Sequence, residues 1–567
     1  MSNTVEFERL SQERKDLQAK GYLPDWFTTQ SYQMFKSKYM YEDTYVLGRH
    51  KTIAKTLAKH LPTKELQEHY EEVFFDLLWS GKLSPSTPVL ANVGTDRGLS
   101  VSCAGQFIDD SIDSFYSNLR ETAILSQHAF GTSGDFSAIR PRGAPVSKGG
   151  EANGARVVID DFFTCAANIS QGSTRRGAFA AYIDIEHDDF DECIEDLFVN
   201  GNGKNYGLIV RDSFINKLNQ GDEEALRRFN EAFYTKIIHG KPYFFFVDKA
   251  NRHRPQMYKD LGLDIKASNL CSEIMLHSSE EYSYSCILSS INFTHWDTIQ
   301  NDNTIFDSTV FLDCVTSDFI ANSENISGLE KVRAFTQKGR AIGLGVTGLH
   351  TMLQMNSIAF DSLQGMITNN LVFQRLQEES LRASQWLAMV CGEPEWCKGY
   401  GVRNTHRTAQ APTKSTSLLM GGISEGINPD PGMAFEAGSA VGELTRITPV
   451  FYQLMKDRGM YSEETVNRII ANLGSVQQED WLTDEEKLVF RTALEINQET
   501  IFNMATGRQP KLCQGQSLNF YFPEEGAEEA MARIMTKCFL HEDILSQYYI
   551  YSRSGVVLND ECESCSA

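Results

Sequence analysis

The chain has 567 residues and a net charge of −22, with 41% apolar and 23% charged residues. This is the composition of an ordinary globular protein of two to four domain-sized units, or of one large barrel with additions. The charge argues against a nucleic-acid-binding face, which needs a dense Lys/Arg footprint. The N-terminus lacks the basic start and apolar run of a signal peptide, and no apolar run is long enough to span a membrane. We therefore expect a cytoplasmic protein with no membrane attachment.

The twelve cysteines are too sparse for the disulfide framework of a small secreted protein. In a reducing compartment, paired thiols are more often catalytic or metal-binding than structural. The cysteines are therefore candidate functional residues.

Residues 1–83 are predicted to form a helical N-terminal region. Segments 51–61 and 63–79 carry apolar residues three and four positions apart among charged ones, the period of an amphipathic helix. Gly81 and the Ser/Pro-rich cluster at 84–88 interrupt this pattern. We place the boundary of the first domain there.

From residue 89 to about 296, short apolar runs alternate with helical patterns, which favours an α/β fold. Cys103 lies at a predicted strand end, and the strand-like run at 283–293 contains Cys286. Two glycine-rich segments, 143–154 and 170–177, lie near arginines. Flexible backbone beside guanidinium groups suits phosphate or nucleotide binding.

The sequence Ser-Asn-Leu-Cys-Ser-Glu at 268–273 places an amide, a thiol and a carboxylate at every second residue. If the segment is extended, Asn269, Cys271 and Glu273 project to one side and can meet one small substrate. The alternative is an ordinary buried cysteine in a chance string.

Two later segments suggest nucleotide binding. Gly343, Gly345 and Gly348 match the dinucleotide-binding glycine pattern, but no buried strand is predicted before them and no clean βαβ unit follows, so we interpret them as the start of a structural helix. The hydroxyl-rich loop at 411–417 precedes an apolar turn. It fits either a phosphate site at a helix N-terminus or simple helix capping.

Near the C-terminus, Tyr548 and Tyr549 are adjacent, and a polar tail carries Cys562 and Cys565. A lone Cys-x-x-Cys without further ligands is a poor zinc site. A dithiol close to a mobile end is better interpreted as a redox shuttle.

Together these features resemble the large (alpha) subunit of class I ribonucleotide reductase, from about residue 84 to the C-terminus. The resemblance is carried, in chain order, by Ser102 and Cys103, the 269–273 motif, Cys286, the Pro-Thr-Lys-Ser loop, the tandem tyrosines and the terminal cysteine pair. It implies a ten-stranded α/β barrel at 84–544 with Cys271 on a central finger loop. Residues 545–567 would then hold the radical-transfer tyrosines and a flexible redox tail.

The resemblance also implies a mechanism. Cys271 would become a thiyl radical that abstracts the 3′ hydrogen of a ribonucleotide, while Glu273 takes the 3′ hydroxyl proton and Asn269 hydrogen-bonds the substrate. Cys103 and Cys286 would supply two electrons and end as a disulfide. Cys562 and Cys565 would reduce that disulfide and be recharged by thioredoxin or glutaredoxin.

Binding residues follow from the same resemblance. Further substrate contacts implied by motif are Thr87, Ser102, Cys103, Gly131, Thr413, Lys414, Ser415 and Thr416. The specificity site for a nucleoside triphosphate effector, ATP or a deoxynucleotide, is implied at the homodimer interface by Asp110, Ser111, Ile112, Arg140 and Arg175. The 170–177 loop is less glycine-rich than is usual in the family, so effector preferences are not predicted.

The Glu-x-x-His signature of di-metal carboxylate bundles is absent, since no His follows a Glu by three residues. The resemblance implies that the radical comes instead from a separate small (beta) subunit with a metal-containing cofactor. The implied route is Tyr549, then Tyr548, then Cys271, and no metal or bound cofactor is expected in this chain. No Val-x-Lys-Arg string of an ATP-cone precedes the barrel, so dATP is not expected to shut off all activity.

Three alternatives remain open. An adenosylcobalamin-dependent ribonucleotide reductase would share the barrel and cysteines but generate its radical locally. A catalytically silent nucleotide-binding regulator could use the same barrel. A dinucleotide-dependent oxidoreductase built on 343–348 is the third.

Overall fold

The computed structural model describes residues 3–42, 45–171, 175–201, 203–439, 442–523 and 527–552. Within these ranges, no helix combines the length and the apolar character needed to cross a membrane. The predicted tail with Cys562 and Cys565 lies outside the described residues.

Four helices form the N-terminal region: α1 (Asn3–Ala19), α2 (Thr29–Lys38), α3 (Val46–Ala58) and α4 (Lys64–Trp79). The last two confirm the helical segments predicted at 51–61 and 63–79. Helix α4 starts where the hydroxyl of Thr63 accepts a hydrogen bond from the Leu66 amide, an N-cap that satisfies one of the free donors of the first turn.

The remaining helices are α5 (Thr87–Asn92), α6 (Ile112–Gln127), α7 (Ala155–Asn168), α8 (Phe190–Asn200), α9 (Asp212–Gln220), α10 (Glu223–His239), α11 (Val247–His253), α12 (Gln256–Leu261), α13 (Trp296–Ile299), α14 (Thr304–Asn322), α15 (Glu330–Gly339), α16 (Leu349–Met355), α17 (Leu363–Cys391), α18 (Lys414–Leu419), α19 (Pro449–Asp457), α20 (Glu463–Ala471), α21 (Asp484–Val489), α22 (Gln498–Arg508) and α23 (Ala527–Leu540). Helix α14 is buried on most of its surface and packs against α3, α4 and α17, which joins the N-terminal helices to the barrel.

The strands are β1 (Leu83–Pro85), β2 (Cys103–Phe107), β3 (Gly131–Asp135), β4 (Ser170–Gln171), β5 (Arg175–Arg176), β6 (Ala178–Asp184), β7 (Asn205–Val210), β8 (Tyr243–Phe246), β9 (Tyr284–Cys286), β10 (Leu288–Asn292), β11 (Gly343–Thr347), β12 (Ala434–Ser439), β13 (Gly442–Ile447), β14 (Phe520–Phe522), β15 (Ser546–Gln547) and β16 (Ile550–Ser552). The predicted strand character around Cys103 and at 283–293 is confirmed by β2, β9 and β10.

Two sheets form the barrel. The larger has seven strands in the order β15-β8-β7-β6-β3-β2-β9, with β2, β3, β6, β7 and β8 parallel to their neighbours and the two edge strands antiparallel. The smaller has the order β1-β10-β11. Only Ile287 separates β9 from β10, so the chain passes directly from one sheet to the other. Buried parallel strands between helices are typical of an α/β barrel, as predicted.

The glycine pattern at 343–348 differs from its prediction. Residues Gly343–Thr347 are themselves a buried strand, β11, rather than the start of a helix, although α16 does begin directly after Gly348. A side chain at Gly345 would lie 2.5 Å from the carbonyl oxygen of Ala409, so this strand position requires glycine for close backbone approach.

Candidate active site

The segment at 268–273 is a tight turn, so the extended geometry that would point Asn269, Cys271 and Glu273 to one side is not present. The Asn269 side-chain oxygen accepts hydrogen bonds from the amides of Glu273 (3.0 Å) and Ile274 (3.2 Å), and the Ser272 amide bonds the Asn269 carbonyl (3.2 Å). Ser272 has φ 65°, the left-handed conformation. Asn side chains commonly close such turns, and here the turn sets Cys271 at the tip of a buried loop.

The same hydrogen bonds fix the orientation of the Asn269 amide. Its oxygen is occupied by two backbone amides, so its nitrogen points elsewhere. That nitrogen is buried and has no hydrogen-bond partner among the residues that the structure describes. Because buried donors are rarely left unsatisfied, it is positioned to bind a ligand acceptor.

Cys103 and Cys286 face each other across the antiparallel pair β2–β9. Directly opposed residues have Cα atoms about 4.5–5.5 Å apart, within the range that a disulfide spans. Both cysteines are buried and are not joined by a disulfide, and Cys286 hydrogen-bonds with Cys103. Burial holds the pKa of the Cys286 thiol well above its usual value, and the hydrogen bond with Cys103 raises it further.

Glu273 is 1% exposed, and burial raises the pKa of its carboxyl to about 8. The nearby thiol of Cys103 raises this pKa further, whereas hydrogen bonding to the backbone amide of Glu273 itself, to the Asn269 side chain and to the Ser517 hydroxyl (3.2 Å), whose one proton is shared with the Cys271 carbonyl, opposes the shift. At neutral pH the carboxyl is therefore mostly protonated in the ligand-free protein, and a modest change in environment ionises it.

Three residues that the sequence did not identify hold the loop in place. The Ser517 hydroxyl donates to the Cys271 carbonyl (2.8 Å), that of Ser546 donates to the Ser272 carbonyl (2.6 Å), and that of Tyr182 to the Asn269 carbonyl (2.7 Å). Two of the contacts join residues 246 and 274 positions apart. No local pattern signals such distant partners.

Tyr548 and Tyr549 are both buried, with ring centroids 4.4 Å apart, and they lie in the same buried apolar cluster as Cys271. A third phenol, Tyr243 on β8, was not predicted. Its hydroxyl hydrogen-bonds the Tyr549 hydroxyl (2.9 Å), and its ring centroid lies 4.7 Å from that of Tyr548. The structure thus places an aromatic row beside the cysteine loop.

The remaining predicted substrate residues lie in two groups. Ser102 and Gly131 flank the thiol pair: the Gly131 amide bonds the Ser102 carbonyl (2.9 Å), and Gly131 pairs with Cys103 across β2–β3. The second group surrounds the start of α18, which begins at Lys414 and includes Ser415 and Thr416.

Thr413, at φ 60°, precedes α18 and accepts a hydrogen bond from the Gly426 amide (2.8 Å). Helix α18 packs against β1, which ends two residues before Thr87, and the Thr87 hydroxyl contacts that of Tyr39 (3.1 Å). This helix is short, and its N-terminus presents hydroxyl groups and backbone amides.

Four of the five predicted effector residues lie together at the start of α6. The Asp110 carboxylate accepts from the Arg140 guanidinium (2.6 Å) and the Arg140 amide (3.2 Å). Ser111 caps α6 by accepting from the Ser114 amide, and Ile112 is 69% exposed. Arg175 belongs to β5, which pairs with β4, but its side chain is outside the described part of the structure.

Among the described residues, no group of three or more His, Cys, Asp or Glu side chains has the arrangement of a metal site. The buried loop instead brings together the unsatisfied Asn269 nitrogen, the Cys271 thiol and the Glu273 carboxyl.

Two family models match the chain. The one described as "Ribonucleotide reductase, all-alpha domain" matches residues 25–98, and "Ribonucleotide reductase, barrel domain" matches 101–235, 223–399 and 394–542. The match therefore includes β2, β9 and the 268–273 loop.

Individual proteins similar to this chain belong to the same family as the two matching models. The chain is 26% identical over 562 residues to the ribonucleoside-diphosphate reductase large subunit of Invertebrate iridescent virus 3, covering 84% of this chain and 87% of the relative. It is 30% identical over 501 residues to the vitamin B12-dependent ribonucleoside-diphosphate reductase of Thermoplasma acidophilum, with 82% and 63% covered. Among solved structures, the class Id ribonucleotide reductase alpha subunit of Actinobacillus ureae matches with TM-score 0.85, 37% identity and coverage of 94% and 98%.

Proposed function

Because this chain belongs to the ribonucleotide reductase large-subunit family, we propose that it reduces ribonucleoside diphosphates to 2′-deoxyribonucleotides for DNA synthesis. The diphosphate substrate is supported by the names of the viral and Thermoplasma relatives. The observation that carries the proposal is the convergence of Cys103, Cys286, Cys271 and Glu273 in one buried cluster.

In the proposed reaction, a thiyl radical on Cys271 takes the 3′ hydrogen of the ribose and leaves a carbon radical. Glu273 accepts the 3′ hydroxyl proton, as a general base within a buried site can. The free amide nitrogen of Asn269 donates to a substrate oxygen. A pKa near the working pH lets Glu273 both take up and return this proton.

The 2′ hydroxyl then leaves as water, with its proton supplied by the Cys103–Cys286 pair. The two thiols give up two electrons and two protons in total: one proton leaves in the water, and the other, with the two electrons, becomes the new hydrogen on C2′. The thiols end as one disulfide, and Cys271 returns the abstracted hydrogen to C3′ and becomes a thiyl radical again. The opposed positions of Cys103 on β2 and Cys286 on β9 support this disulfide pairing. Cys562 and Cys565 remain our proposed reductants of that disulfide, recharged by thioredoxin or glutaredoxin.

The phosphates are proposed to bind at the start of α18, where Thr413, Lys414, Ser415 and Thr416 precede or begin the helix. Arg140 and Asp110, with Ser111 and Ile112, are proposed to bind the triphosphate effector at a homodimer interface. The proposed radical source is a separate metal-containing beta subunit, with Tyr549 and Tyr548 as the route to Cys271.

A second candidate is radical generation by adenosylcobalamin, which the similarity to the Thermoplasma B12-dependent enzyme favours. The buried tyrosine row beside Cys271 favours the two-subunit alternative, because a locally generated radical needs no such row.

The deciding experiment measures CDP reduction with dithiothreitol and an effector for the chain alone, with adenosylcobalamin, and with its beta subunit. Each condition is repeated with Cys271→Ser and with Cys391→Ser, a cysteine at the end of α17 that serves as a matched control. We expect turnover only with the beta subunit, lost in Cys271→Ser and kept in Cys391→Ser.

Turnover with adenosylcobalamin alone would select the second candidate. Turnover by Cys271→Ser under any condition would refute the proposed role of the loop cysteine.

A further inference from the structure

The aromatic row beside Cys271 continues beyond Tyr549. The ring of Tyr551 is stacked on that of Tyr549, with centroids 5.5 Å apart and an angle of 30° between the planes. Tyr521 is also stacked with Tyr551, with centroids 5.3 Å apart and an angle of 10° between the planes. Tyr548, Tyr549, Tyr551 and Tyr521 therefore form a continuous row of rings.

Backbone pairing fixes the outer part of this row. Strands β14 and β16 run parallel, and Tyr521 and Tyr551 are direct partners in their register. Tyr549 and Tyr551 are two residues apart, so their side chains point to the same side of the extended chain. The Phe520 amide also bonds the Tyr549 carbonyl (3.1 Å), which ties the inner tyrosines to the same strand.

Exposure is greatest at Tyr551. Tyr548, Tyr549 and Tyr521 are 1%, 5% and 5% exposed, whereas Tyr551 is only partly buried. Tyr521 lines a cleft of about 140 Å³ together with Pro523, Arg533 and Ile534. Tyr551 is therefore the ring of this row that is most accessible from outside the fold.

Burial of Tyr549 creates a problem for radical transfer from another subunit. Electron transfer slows steeply with distance, and a partner cannot contact a ring that is almost fully covered by its own chain. A redox-active side chain at the edge of the fold would shorten the distance between the partner's oxidant and Tyr549. Tyr551 is a phenol in ring contact with Tyr549 at that edge.

We propose that Tyr551 is the entry residue of the radical route, so that the oxidising equivalent passes from the beta subunit to Tyr551, Tyr549, Tyr548 and Cys271 in turn. This inference rests on the proposed function, since it extends the relay named there. Tyr521 acts as a positioning residue that holds the Tyr551 ring by stacking.

Each step of the relay transfers one electron and one proton. The one-electron oxidant on the beta subunit takes an electron and the phenol proton from Tyr551 and leaves a neutral tyrosyl radical. That radical takes an electron and a proton from Tyr549 and is restored to a phenol, and the same exchange repeats to Tyr548 and the Cys271 thiol. Nothing is consumed, so the route can run in reverse after turnover.

Tyr551→Phe tests the proposal, because it keeps the stacked ring and removes the oxidisable phenol. We expect CDP reduction by the holoenzyme, at saturating beta subunit, to fall roughly 100-fold or more, with effector binding unchanged. Tyr461→Phe, at a 49% exposed tyrosine far along the chain from the row, is the matched control and should retain full activity.

A second measurement separates radical transfer from packing. Replacing Tyr551 with aminotyrosine, a more easily oxidised phenol, should trap the radical there, giving a new electron paramagnetic resonance signal when beta subunit, substrate and effector are all present. A purely structural role predicts no such signal.

Full activity of Tyr551→Phe, or no trapped radical at 551, would overturn the inference. The proposed function would still stand if Tyr548→Phe and Tyr549→Phe were inactive. If those two variants were also fully active, the relay itself would be wrong.

Discussion

The thiol site and the proposed effector cluster differ in burial. Cys103, Cys271, Cys286 and Glu273 are at most 7% exposed, and Cys103 comes from a part of the chain distant from the segment 271–286 that supplies the others. The proposed effector residues come mainly from one short segment, 110–112, and its ion pair with Arg140 is part-exposed, with side-chain exposures of 39% for Arg140 and 25% for Asp110. One region excludes water and the other remains in contact with it.

This difference corresponds to two kinds of chemistry. Without water around it, the Glu273 carboxyl has a raised pKa and can exchange a proton near neutral pH. A solvated ion pair such as Asp110–Arg140 contributes only about 0.5 kcal/mol to stability, so it can open to accept a charged ligand. The following variants test whether catalysis and regulation are separated in this way.

Glu273→Gln should have the largest effect. The amide keeps the shape of the side chain but cannot accept the 3′ hydroxyl proton, so kcat should fall by roughly 10²- to 10⁴-fold. Effector affinity should not change. Glu479→Gln, at a buried carboxylate paired with Arg468 outside the site, is the control and should remain active. Retention of most activity by Glu273→Gln would refute its role as base.

Arg140→Gln should weaken effector binding, measured by titration calorimetry, by roughly ten- to a hundred-fold, the effect of losing a charged hydrogen bond. Turnover at saturating effector should stay near the wild-type value. Arg142→Gln removes a neighbouring arginine that pairs with Glu192 instead and should leave affinity unchanged. An equal loss of effector affinity in Arg140→Gln and Arg142→Gln would place the effector site elsewhere.

Ser517→Ala should change the pH dependence of kcat/KM. The hydroxyl is one of the groups that stabilise the Glu273 carboxylate, so its removal should raise the carboxyl pKa further above its value of about 8. Since the base acts when ionised, activity should fall at neutral pH and recover at alkaline pH.

Ser380→Ala, at a buried serine within α17, controls for loss of a buried hydroxyl. A uniform loss of activity at all pH values in Ser517→Ala would indicate a displaced loop rather than a changed pKa.

Tyr243→Phe should have the smallest effect. It removes the hydrogen bond to the Tyr549 hydroxyl while keeping both ring contacts. A loss of about 1 kcal/mol predicts a roughly fivefold lower kcat with the beta subunit. Unchanged turnover would show that this hydrogen bond does not affect the relay.

Much of the fold followed from local patterns. The period of the apolar residues predicted α3 and α4, and the alternation of short apolar runs with helical segments predicted the α/β architecture. The 343–348 segment was misinterpreted because its strand, β11, has glycine at two of its five positions, and glycine is depleted in strands.

The candidate site was only partly predictable. The cysteines could be found by motif, but Asn269 closes a turn with its own side chain, so the extended geometry considered for the loop is not present. Ser517 and Ser546 contact that loop from more than two hundred residues away. Such contacts depend on the folded barrel and leave no trace in local sequence.

The position of Cys103 opposite Cys286 also has a consequence for the thermal stability of the enzyme during its catalytic cycle. On the proposed mechanism, each turnover ends with a covalent cross-link between β2 and the edge strand β9. Closing a loop of more than a hundred residues restricts the unfolded chain and stabilises the fold by about 5 kcal/mol. The spent enzyme should therefore melt at a higher temperature than the reduced one, and thermal unfolding would report how far the thiols have been consumed.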